Sequence, residues 1–275
     1  MTKEELKEQK KLLKLEKKNA KLNKRNDILE EKLREYNNDA PKRIEKEKIK
    51  LRHQELNEAP KRSLLEEIGN SVSHGVGAIL AIVALIIMLK FMNKEKMYDY
   101  NLAIFSTIVY TVCMFLTMIN SCLYHSWKSG SKVKRIWRRF DYSAIYLLIA
   151  GTFAPLFLIF LIQYNAKLAI ILFILQWVFV IFGITMNAIF GPGRIKILNY
   201  FLYFAIGWSG IIFIPYFVKY NINLLWYILI GGLTYTLGMI PFAIKKIKAT
   251  HFIFHLIIVI SAIIQWTGIF ICLYL

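Results

Sequence analysis

Acidic residues are almost missing from the apolar part of this chain: beyond Asp99 the only one is Asp141. Cysteine is scarce too. Cys113, Cys122 and Cys272 each fall inside or at the edge of an apolar run, and no two share a metal-type spacing. They read as packing residues in preference to a disulfide framework. Residues 1–40 contain neither proline nor glycine. No short apolar core with a small-residue cleavage site stands at the N-terminus, so no secretory signal is expected.

What is present is apolar and basic. Of 275 residues, 56% are hydrophobic, too many for an ordinary soluble domain of this length. The formal net charge is +18. Basic residues after Ser73 lie almost entirely between apolar runs, which marks loops beside anionic headgroups. The partner this implies is membrane lipid, not nucleic acid.

Residues 1–62 form a charged extension. Leu15, Leu22, Leu29 and Tyr36 recur every seven residues, with Leu12, Asn19, Asn26 and Leu33 at the other core position. Lys11 with Glu16, and Arg25 with Glu30, then suit interchain pairing. Two readings stay open: a short parallel coiled coil that makes a homo-oligomer, or a solvated single helix or tail. Ala40-Pro41 and Ala59-Pro60 punctuate this arm.

Residues 63–275 divide into seven apolar runs near the ~20 residues that cross a ~30 Å hydrocarbon core. They are His74–Met92, Leu102–His125, Phe140–Ile162, Leu168–Phe190, Ile197–Val218, Ile222–Ile244 and Phe252–Leu275. The expected fold is an all-α membrane protein, a seven-transmembrane-helix bundle behind a charged helical extension. Connections two–three, four–five and six–seven carry eleven Lys/Arg, including Lys245, Lys246 and Lys248; the alternate connections carry five. The bias predicts a multi-pass cell-membrane protein with a cytoplasmic N-terminus and an extracytoplasmic C-terminus.

Four histidines, His74, His125, His251 and His255, sit at ends of runs that this topology puts at one face, as does Asp141. Ionisable groups in such helices normally face the bundle interior and mark function. His251 and His255, spaced i and i+4, share a helical face. With His125 they offer three nitrogens and leave a fourth position open, the pattern of a catalytic zinc site. Asp141 is then a candidate outer partner or general base for the metal's water. Ser121, one turn before His125, either reaches towards that water or substrate, or bonds its own helix carbonyl. Glu67, Asn70 and His74 read as a capping or packing network, not as a fourth ligand. The basic run from Lys132 to Arg139 reads as a topology and headgroup signal.

Glu67-x-x-Asn70-x-x-x-His74, Ser121-x-x-x-His125, Asp141 and His251-x-x-x-His255 together resemble the hemolysin III family. That family is the bacterial branch of the progestin and adipoQ receptor superfamily. The stretches Glu66 to Ser71 and Asp141 to Tyr146 extend the likeness, which runs from about Glu66 to Leu275. The resemblance implies a seven-helix, N-in bundle with zinc on His125, His251 and His255 and Asp141 hydrogen-bonded to the zinc-bound water. It implies a zinc-dependent lipid amide or ester hydrolase, ceramidase-like, with Asp141 and Ser121 as the catalytic candidates. The alternative it carries is a non-enzymatic, cytolysin-like pore former or membrane-stress regulator with structural zinc.

Overall fold

The computed structural model of the protein describes residues 3–34, 40–243 and 249–275. The chain forms two compact units, Met1–Leu56 and Asn57–Leu275. The first holds helix α1 (Lys3–Arg34) and nearly all of α2 (Ala40–Asn57). Leu12, Leu15 and Leu22 of the heptad stripe are exposed on α1. Tyr36 lies outside the described residues, as do the side chains of Leu29, Glu30 and Leu33. Lys245, Lys246 and Lys248 are likewise outside them.

The second unit contains seven helical spans long and apolar enough to cross a membrane. In chain order they are α3 (Leu64–Phe91), α4 (Tyr100–Ser126), α5 (Lys132–Pro155), α6 (Ala166–Phe190), α7 (Lys196–Trp208) continued by α8 (Ile214–Tyr220), α9 (Ile222–Ala243) and α10 (Thr250–Leu273). Among the described residues there is no strand. Local chemistry sets the starts. The side chains of Ser63, Asp99, Ser131, Asn165 and Asn221 each accept from a backbone N–H three residues on. Each satisfies an orphan donor of a helix's first turn.

The unit begins at Asn57, a few residues before the expected boundary at 62/63, because hydrogen bonds tie the linker to the bundle. Asn57 donates to the Phe190 carbonyl, and Arg138 donates to the Glu58 carbonyl. α3 also starts well before the apolar run at His74. Its first turns alternate lipid-facing Leu64, Leu65 and Ile68 with buried Glu67 and Asn70. A hydropathy window sees only the average.

α5 is the most enclosed of the spans. Pro155, which has no N–H to give the Gly151 carbonyl, ends its regular part. A wide turn (156–160) and a tight one (161–163) complete the crossing. α7 tightens into a 3-10 turn over 209–213 before Pro215 opens α8.

α5 packs against α4, α6 and α7. α4 lies between α3 and α5, while α10 touches both α3 and α9. Small residues permit the closest approaches. Gly151 backs onto Cys113, and Gly183 lies under the Tyr146 ring. Phe153, Phe157, Phe213 and Phe217 close the interior at the far end of the bundle. Ile79, Ile86, Ile181 and Phe201 point outward as lipid-facing side chains.

Candidate metal centre

Two helix ends converge at the opposite end of the bundle. α4 supplies His125 from its last turn, and α10 supplies His251 and His255 from its first two turns. The i, i+4 spacing sets the α10 rings edge to face, 4.5 Å between centroids. The Nε2 of His251 is 3.3 Å from that of His125 and 2.9 Å from that of His255. One ring nitrogen from each of the three lies within 4.8 Å of the others.

This donor set fits a cation. A tetrahedral ion at ~2.0–2.1 Å from each nitrogen separates its ligand atoms by about 3.3–3.4 Å, close to the spacing found. A neutral imidazole carries one N–H. His125 Nδ1 is 2.6 Å from Glu67 Oε2, so the proton belongs there and Nε2 presents a lone pair. With the ring protons on Nδ1, three lone pairs face one point, and a metal ion would satisfy all three.

The outer face of the triangle is equally built. Asn70 Nδ2 stands 3.3 Å from the same His125 Nδ1. His74 Nε2 is 2.8 Å from His255 Nδ1, edge-on to that ring. Glu67, Asn70 and His74 thus pack around the ligands, not merely around their own helix. The run from Lys132 to Arg139 needs correction. Lys134 and Arg138 are buried, so they are no headgroup signal. Lys134 Nζ pairs with Glu67 Oε1 at 2.9 Å, donates to the Trp127 carbonyl and stands 5.0 Å over the Tyr124 ring. Arg138 lies over the Tyr142 ring. The signal that finds them is periodicity: Lys134, Arg138 and Asp141 stand at i, i+4 and i+7, one face of α5.

Asp141 and Ser121 lie outside the triangle of nitrogens but line the cavity that opens from it. The Ser121 hydroxyl stands beside the Asp141 carboxyl. Ser121 does not bond its own helix carbonyl, as Thr117 one turn earlier does; its buried Oγ meets no partner of good geometry. Nδ1 of His74 is also buried and unmet, in the wall of the same cavity.

The cavity holds ≈ 210 Å³. It follows α10 from His251 to Gln265, about 21 Å at 1.5 Å per residue. Beyond the polar end its walls are apolar and aromatic, including Leu148, Phe153, Trp208, Phe217 and Ile258.

Known proteins resemble this chain. The family model described as Haemolysin-III related matches residues 62–266. A protein of Bacillus cereus named Hemolysin-3 is 37% identical over 194 residues, which is 70% of this chain and 85% of that protein. A Hemolysin-3 homolog of Bacillus subtilis (strain 168) is 34% identical over 195 residues, 70% of this chain and 87% of that protein. The matched region takes in both histidine-bearing helices and begins where the arm ends. This seven-helix membrane protein belongs to the haemolysin-III related family.

Proposed function

We propose that the protein is a zinc-dependent hydrolase of an amide or ester bond in a membrane lipid. The observation that carries the reading is a three-histidine cluster opening directly onto a long apolar cavity. His125, His251 and His255 hold the metal. When bound, zinc supplies a Lewis acid and lowers the pKa of its water towards ~7. The chain's own residues do the rest. The cavity walls bind the acyl chain and keep bulk water from it. Asp141, at the polar end, takes a proton from the attacking water and returns it to the leaving group. Ser121 donates its unclaimed hydroxyl to the lipid carbonyl and orients it. The excess of Lys and Arg in the connections at the site end, nine to five with buried Lys134 and Arg138 set aside, supports a cytoplasmic N-terminus and an extracytoplasmic C-terminus. The exposed leucines and paired charges of α1 support a parallel homo-oligomer built by the arm.

A second reading has one observation in its favour: relatives 37% and 34% identical over the matched region are named Hemolysin-3 and Hemolysin-3 homolog. In it the metal is structural and the protein forms pores or regulates membrane stress. One experiment separates the two. Purified protein and its His251→Ala variant are incubated with lipid vesicles, followed by product profiling and dye-release measurement. Hydrolysis lost in the variant supports the enzyme. Dye release without lipid products supports the alternative.

A further inference from the structure

α3 contributes none of the three converging nitrogens, yet it meets the triangle with three polar side chains. Glu67, Asn70 and His74 stand at i, i+3 and i+7 and are all buried. Such a stripe occupies one helical face over two turns. Its two ends reach ligands on two different helices. Glu67 engages His125 Nδ1 on α4 at 2.6 Å, and His74 engages His255 Nδ1 on α10 at 2.8 Å.

We propose that α3 is the positioning helix of the metal centre, with Glu67 and His74 each fixing the Nδ1 of a separate ligand so that both Nε2 atoms face one point. The proposal rests on reading the histidines as a metal centre. Its physical basis is the choice open to each imidazole. A free ring can ligate through either nitrogen and can turn about its side-chain bonds. A partner on Nδ1 removes both freedoms and raises the basicity of Nε2. The carboxylate does this for His125. His74 does it for His255, since its Nε2 accepts when its own proton sits on Nδ1.

Lys134 extends the arrangement to a fourth helix. Its side chain is fully enclosed, and its ammonium lies 2.9 Å from the Glu67 oxygen that His125 does not use. A buried ammonium needs its carboxylate partner, so Lys134 holds Glu67 in the one orientation that serves His125. α5, which carries Asp141, is thereby registered to α3 and α4 at the depth of the centre.

The test uses the full chain in detergent, stripped of metal and titrated with zinc against a chromophoric chelator. Cobalt absorption reports ligand geometry in parallel. Glu67→Ala and His74→Ala should each weaken zinc binding about 10–100-fold and change the cobalt bands. Glu67→Gln and His74→Gln keep an acceptor and should recover part of the affinity. Glu67→Ala alone strands the Lys134 charge, so Glu67→Ala with Lys134→Met separates folding from positioning. The pair should restore the melting temperature of the metal-free protein but not the affinity. Zinc binding as tight as wild type in folded Glu67→Ala/Lys134→Met and His74→Ala, with unchanged cobalt bands, overturns the proposal. If instead wild type takes up neither metal, the metal reading fails and the positioning role falls with it.

Discussion

At the scale of single residues, the ligands and the cavity groups should separate experimentally. His251→Ala or His255→Ala removes a corner of the triangle, so zinc content and melting temperature should fall together. A ligand that binds only the folded state stabilises it in proportion to its affinity. Asp141→Asn keeps the triangle and should retain stoichiometric zinc while hydrolysis drops. Metal content by mass spectrometry alongside product profiling reads both. The histidines were legible in the sequence because H-x-x-x-H and a third histidine at matching depth are local features. Lys134 was not. A lysine near a helix start ordinarily marks a loop, and its burial depends on Glu67 arriving from a helix far away in sequence.

At the scale of elements, close helix approach should be the sensitive point. A Cβ added at Gly183 would stand 2.4 Å from the Tyr146 ring, and Tyr146 is fully buried. Gly183→Ala should therefore push α6 from α5 and cost about 1–3 kcal/mol. Gly232 has nothing within 4 Å of its added Cβ, on the cavity side of α9. Gly232→Ala should be neutral or stabilising by up to about 1 kcal/mol from helix propensity. Thermal melts of both variants check the contrast, and equal destabilisation would mean that α9 is packed there. All seven spans were legible from apolar run length. The start of α3 was not, since its buried polar stripe lowers the hydropathy that a window measures. Nor does composition reveal the wide turn after Pro155 or the tight one after Trp208.

At the scale of the whole molecule, the two units should part cleanly. Deleting residues 1–56 should leave a folded, metal-loaded bundle, because Asn57 and Glu58, which bond to Phe190 and Arg138, are retained. The same deletion should reduce self-association in light scattering if the α1 heptads pair. Extending it through Arg62 removes those bonds and should lower the melting temperature. Cysteine labelling at Gly130, in the connection between α4 and α5, should report the cytoplasmic side, with Leu275 labelled from outside. The central claim is more direct than any of these: three histidines from two helices hold one metal ion. The measurement is the zinc content of the purified full chain beside that of His125→Ala. One zinc per chain in wild type, and a near-complete loss in the variant with the helices intact by circular dichroism, is the predicted result. A wild type free of stoichiometric metal, or a His125→Ala protein that keeps zinc as tightly, would contradict it.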